Sequence, residues 1–230
     1  LAGRYGLNYD EVSLDKQTFF FNGACDPLLA GRYLCDAVGN RMTSSIGYSL
    51  VFDNLNNRIR PSKGQRFIFS QDFAGLGGSV KYLRTRLDAA KYWKVLGNFI
   101  FSAGAEAGHI IPFGKSRGAG VDRIRLTDRF FLGEPQMRGF DIRGVGPRVI
   151  RYTSVDLTNT MAPVVSEARN TTVDDAVGGR AYYQGRLEVD LPLGSGAREL
   201  GLRPSIFMDV GAVFNVRQPA LTSLQTFRDT

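Results

Sequence analysis

Several groups of side chains in this 230-residue sequence have types and spacings that invite a chemical reading. Cys25 and Cys35 stand ten positions apart. They fit either a disulfide closing a small loop in an oxidising compartment or two unpaired thiols, and spacing alone does not choose. A structural zinc would need more ligands, but there is no second cysteine pair and the sole histidine is His109. His109 with Glu106 would form an acid–base pair only if a third group oriented it, and none stands near. Ser44-Ser45 has no base nearby in the chain. Gly144-Val145-Gly146-Pro147 has the glycines of a phosphate loop, but it neither follows a strand nor opens a helix. No catalytic constellation results, so the reading expects no enzyme, metal or cofactor. Lys and Arg outnumber Asp and Glu by 29 to 22. These cations are scattered rather than clustered, which argues against a nucleic-acid partner.

The elements that must position any functional residue show a period of two in segments about ten residues long. Ile46, Tyr48, Leu50 and Phe52 share one face, and Gly47, Ser49, Val51 and Asp53 the other. Tyr5, Leu7 and Tyr9 repeat the pattern, as do Phe67, Phe69 and Phe73, a face that Gln71 interrupts. Leu83, Thr85, Leu87 and Ala89 follow, then Val95, Phe99, Phe101, Ala103 and Ala105. Ala181, Tyr183, Leu187, Val189 and Leu191 oppose Arg180, Tyr182, Gln184, Arg186, Glu188 and Asp190. Last, Leu202, Ile206, Met208, Val210, Ala212 and Phe214 oppose Arg203, Ser205, Phe207, Asp209 and Gly211. No apolar run is long enough for a membrane helix, but a transmembrane barrel alternates in this way. So does a soluble β-sandwich. The small residues on the apolar faces, among them Gly97 and Gly185, would leave voids in a packed core and suit lipid better.

The expected short links are Asn54–Gly64, Ala74–Ser79, Lys91–Lys94 and Pro192–Leu200. The expected long segments are Leu14–Thr43 and, roughly, 108–178. Short turns at one end and long loops at the other characterise outer-membrane barrels. The start, Leu1-Ala2-Gly3-Arg4-Tyr5-Gly6, lacks the pattern of a signal peptide, and the reading expects a chain that begins partway through a protein.

Within the second long segment lies Arg129-Phe130-Phe131-Leu132-Gly133-Glu134-Pro135-Gln136-Met137-Arg138-Gly139-Phe140, followed by Gly146-Pro147. Met137-Arg138-Gly139-Phe140 resembles the (Val/Ile)-Arg-Gly-(Phe/Tyr) signature of the sixth extracellular loop in BamA-type outer-membrane assembly factors. These belong to the bacterial surface antigen, or POTRA-barrel, superfamily. Met137 replaces the usual β-branched residue, and Glu134 replaces a glycine. Other segments resemble the family in the same order. They are Gly47–Leu50 with the Pro61–Gly64 turn, Asp174–Gly179, Leu187–Leu193 and Phe207–Phe214.

The resemblance implies an all-β fold: a partial antiparallel transmembrane β-barrel. It would comprise about seven of sixteen strands, about the seventh to the thirteenth, with an inward-folded extracellular loop over 108–178. POTRA repeats and terminal strands would be absent from residues 1–230. It implies assembly of outer-membrane proteins in the bacterial outer membrane. Partners would be unfolded client barrels, lipoproteins of the assembly machine and outer-membrane lipid. Sibling transporters for two-partner secretion or autotransporter translocation share the motif and remain open, as does a porin-like channel.

The family's motif arginine contacts acids on the inner wall of two strands. The matching positions are Glu188 and Asp209, which the alternation independently places on a polar face. Arginine suits the task because its planar fork binds carboxylates in fixed geometry. Gly139 is expected to permit a tight turn and Phe140 to wedge the loop tip. The plainer alternative makes Arg138 a solvated arginine and pairs the two acids with Arg186 or Arg203.

Overall fold

The computed structural model describes residues 1–95, 98–118, 121–152, 155–156, 164–165, 171–192, 202–221 and 224–229. Its main element is a seven-stranded antiparallel sheet in which each strand bonds to its neighbours in chain order. The strands are β1 (Ala2–Val12), β2 (Gly39–Asp53), β3 (Gly64–Gly78), β4 (Tyr82–Lys94), β5 (Ile100–Pro112), β6 (Ala181–Asp190) and β7 (Ser205–Phe214).

The register carries the period-two pattern from strand to strand. Leu50 pairs with Phe69, Phe69 with Leu87, Leu87 with Ala107, Ala107 with Tyr183, and Tyr183 with Ala212. Apolar rows therefore cross the whole sheet on one side. Their members stand exposed: Tyr5 by 66%, Phe52 by 52% and Ile206 by 67%. A water-soluble chain does not leave a patch of that extent uncovered. The opposite face is mixed, and its buried members include Arg41, Thr43 and Gln184 beside Ala74, Tyr82 and Ile110. An exposed apolar belt backed by an inner face that mixes charged and apolar side chains is not the arrangement of a sandwich, so the soluble reading falls and lipid is the solvent the belt fits.

Short turns join the strands at one end. The β2–β3 turn is closed by asparagine side chains. Asn56 Oδ1 accepts from the amides of Ser62 and Lys63, and Asn57 Oδ1 from those of Ile59 and Arg60. Such local side-chain acceptors are why asparagine concentrates in turns.

The structure departs from the expected links in several places. Ala74–Ser79 is not a turn, because β3 continues to Gly78. The register slips between the Thr43–Gly78 and Ser45–Ala74 pairs, and Gly78 has φ +80° with Met42 O where a Cβ would stand. The glycines absorb a β-bulge instead of reversing the chain. Lys91–Lys94 likewise belongs to β4. Trp93 packs on Phe101 at 5.3 Å and lies under the Lys91 ammonium at 5.0 Å. Val95 and Phe99, expected in a strand, form the next turn, with the Val95 amide donating to Phe99 O at 2.8 Å. Leu202 precedes β7. Both long segments are shorter than expected, 13–38 and 113–180, because polar residues such as Asn40, Arg41 and His109 still pair in strands. Gly97 and most of the Pro192–Leu200 link, with Leu193, lie outside the described residues.

The long segments pack together at the other end. Arg148–Tyr152 forms the middle of a three-stranded sheet between Thr172–Ala176 and Gln225–Arg228. Arg151 ties this sheet to the first long segment. It donates to the carbonyls of Leu28 and Leu29 and pairs with Asp175 at 2.5 Å. Cys25 and Cys35 are joined by a disulfide, with Cα atoms 5.6 Å apart.

Candidate functional site

The site forms where the chain after β5 folds against the inner face of β6 and β7. Arg186 pairs with Asp209 and Glu188 with Phe207 across these strands, so Glu188 and Asp209 are diagonal neighbours on one face. Arg138 sits over both. Its Nε and Nη2 donate to the two oxygens of Asp209, each at 2.9 Å, and Nη1 donates to Glu188 Oε2 at 3.0 Å. The Arg138 amide adds a bond to Asp209 Oδ2 at 3.2 Å. The guanidinium carbon lies 3.4 Å from the centre of the Phe207 ring. A planar cation is thus held edgewise by two carboxylates and flatwise by an aromatic face. Hydrogen bonding to Asp209 raises the Arg138 pKa further above its already high value, so the cation is permanent.

The Asp209 side chain is only 3% exposed. Burying a carboxylate is costly unless it is paired, and here it has two cations. Arg186 Nε reaches Asp209 Oδ1 at 3.2 Å. Arg186 therefore does bind one of the acids, as the plainer alternative required, but it shares that acid with Arg138. Arg203 forms no ion pair with either acid among the described residues.

Arg186 has a second task. Its Nη2 donates to the carbonyl of Gln136 at 2.5 Å, and Gln184 Nε2 donates to the same oxygen. The loop is held by its backbone just before the motif as well as by the motif arginine. The sequence placed Gln184 and Arg186 on the correct face but gave no sign of this partner. Phe207 did leave a signal, as a lone aromatic on an otherwise polar face.

Met137 is the residue that fills space. It is 3% exposed and packs with Leu132 and Val213. The room comes from Gly211, where a Cβ would stand 2.9 Å from Leu132 and 3.0 Å from Met137 Sδ. Gly139 adopts φ +85° with open space around it, so its requirement is conformational rather than steric. Phe140 does not wedge the loop. It is 47% exposed, because Met137 already occupies the pocket. Nearer the start of the loop, buried Arg129 donates to the carbonyls of Ile124 and Val177 and stacks on Tyr33 at 4.8 Å. Glu106 and His109 point to opposite faces of β5, which removes them as an acid–base pair.

Comparison with known proteins gives this geometry a family. The model of the Omp85 superfamily domain matches residues 1–230. Outer membrane protein assembly factor BamA of Neorickettsia risticii is 34% identical over 181 residues, 78% of this chain and 20% of that protein. The Sorting and assembly machinery component 50 homolog of Bos taurus is 28% identical over 184 residues, 77% of this chain and 33% of that protein. The crystal structure of BamA from Haemophilus ducreyi lacking POTRA domains 1–3 superposes with a TM-score of 0.53 at 21% identity. That match covers 77% of this chain and 30% of the other.

The chain belongs to the Omp85 superfamily, a non-enzymatic class of outer-membrane β-barrels. It spans a fifth to a third of the length of these relatives. With both bacterial and animal relatives, its coarse location is the outer membrane of a bacterium or a mitochondrion.

Proposed function

We propose that this chain is part of the barrel of a factor that folds and inserts β-barrel proteins into the bacterial outer membrane. The carrying observation is the Arg138 hook, which fixes a loop of almost seventy residues (113–180) to the inner wall through Asp209 and Glu188. Ordering a loop of that length opposes folding entropically, so an anchor of this strength has a task to justify it. Nothing in the site makes or breaks covalent bonds. The energy for insertion comes from the client's own folding, and the barrel lowers the barrier. In this reading 113–180 is the inward-folded extracellular loop, and the short turns face the periplasm. Unfolded barrel proteins are the clients. Lipoproteins of the assembly machine act mainly through regions beyond this chain, and outer-membrane lipid surrounds the belt.

The test uses the full-length protein in proteoliposomes, with Arg138→Ala and the Glu188→Gln/Asp209→Asn pair. Insertion of a client barrel is followed by its heat-resistant mobility on gels, and loop closure by trypsin cleavage. Slower insertion together with faster cleavage is expected in both variants. Normal insertion with an intact, protected loop would remove the proposal. A large steady conductance with no insertion would instead favour a channel.

A further inference from the structure

The end of the sheet that carries the long segments holds a second polar site, unrelated to Arg138. A cleft of about 320 Å³ opens between the β3–β4 turn, the end of β5 and the start of the long loop. Five cations line it, Lys81, Lys115, Arg117, Arg123 and Arg125, against one carboxylate, Asp128. Among the described residues none of the five forms an ion pair. Arg117 is occupied only by backbone carbonyls, those of Asp122 at 3.2 Å and Asp36 at 2.7 Å.

Two features set this cleft apart from an ordinary solvated basic rim. Arg117 and Arg125 are half-buried without a close ion pair, the charges of Asp36, Asp122, Asp128 and Asp10 reaching them only from farther off, and burying cations that are not closely paired is unfavourable. Burial first, and then the charge of Arg41, holds the pKa of Arg125 below the usual arginine range. Arg41 itself is 2% exposed, and its Nε and Nη1 have no hydrogen-bond partner. The protein thus concentrates positive charge here and neutralises it only in part with its own acids. Guanidinium groups suit tetrahedral oxyanions because they donate in pairs.

The cleft also borders the lipid belt. Phe113 lines it and stacks on Phe73 at 5.0 Å, nearly parallel, and Phe73 belongs to the outer apolar face. An anion bound among the arginines would therefore have an apolar surface directly beside it. We propose that this cleft binds the phosphate of an anionic lipid headgroup in the leaflet at the long-loop end, with the acyl chains lying along the belt. The inference rests on the reading of the outer face as lipid-facing, and it does not depend on the Arg138 hook.

The experiment titrates the full-length protein in neutral detergent with phosphatidic acid. Diacylglycerol of the same acyl chains and inorganic phosphate serve as separate probes, with bound lipid counted by native mass spectrometry. Phosphatidic acid is expected to bind, and its affinity to fall about tenfold or more in Arg117→Ala/Arg125→Ala. The exposed change Lys81→Glu, which does not threaten folding, is expected to weaken binding in the same direction. Arg58→Ala, on the turn at the opposite end, should leave binding unchanged. Arg138→Ala should also retain it, so that failure of the assembly proposal is distinguishable from failure of this one. Equal retention of diacylglycerol, or unchanged binding in both cleft variants, would overturn the site. Inorganic phosphate binding as tightly as the lipid would overturn the lipid source.

Discussion

Asp209 receives two guanidinium groups and a backbone amide, while Glu188 receives only the far nitrogen of Arg138. The two acids should therefore respond unequally to mutation. Arg138→Ala removes three of the donors on Asp209 and Glu188 but leaves Arg186 on the more buried acid, so the loss is expected to be about 3 kcal/mol, at the lower end for a broken buried pair. Denaturant titration in detergent measures it. Arg138→Lys keeps the charge but not the fork, and should restore only a minor part. Gly211→Val places methyl groups where Met137 and Leu132 sit, and is expected to cost about 1–3 kcal/mol. It should expose the loop to trypsin while Arg138 is still present. The motif and its two acids were legible through the family resemblance, and their facing through alternation. The Gln136 carbonyl clamp was not, since a backbone acceptor leaves no trace in residue type. Nor was the exchange of roles between Met137 and Phe140, which depends on a glycine more than seventy positions away.

At the level of strands, the row through Tyr48, Gln71 and Thr85 on the outer face is not apolar. Tyr48 donates to Gln71 Oε1 at 3.2 Å, and Gln71 Nε2 donates to Thr85 Oγ1 at 3.1 Å. Thr85 in turn pairs across the sheet with His109. A polar side chain facing lipid is tolerable when a neighbour satisfies it, and here three adjacent strands do so side by side. Thr85→Val is expected to strand the Gln71 amide and cost about 1 kcal/mol in bilayer unfolding equilibria. Tyr48→Phe/Gln71→Leu/Thr85→Val should recover that loss by removing all three hydrogen-bonded side chains together; a further loss in the triple variant would contradict the account. In the sequence Gln71 was visible only as an interruption of its face. Its explanation needs register, which period-two reading does not supply. The same gap produced the misplaced links at Ala74–Ser79 and Lys91–Lys94. Glycine runs signal either a turn or a bulge, and only the partner strand decides which.

For the whole molecule, seven consecutive antiparallel strands were readable because lipid demands the alternation along nearly every strand. The arrangement at the far end was not readable, because its partners lie more than a hundred residues apart. Arg151 reaches back to Leu28 and Leu29, and Gln225 donates to Pro27 O. The disulfide encloses only a short stretch of this first long segment. Reduction is accordingly expected to raise protease sensitivity within 13–38 while far-UV circular dichroism and heat-modifiable mobility stay unchanged; loss of either would assign the bond a larger part in the barrel. The cap sheet has one further effect. Because Gln225–Arg228 is zipped to Arg148–Tyr152, the chain leaving β7 is clasped to the very loop whose arginine β7 grips. A disturbance of the hook has a mechanical outlet at the opposite end of that strand, so whatever tugs on the segment after β7 also tugs on the latch.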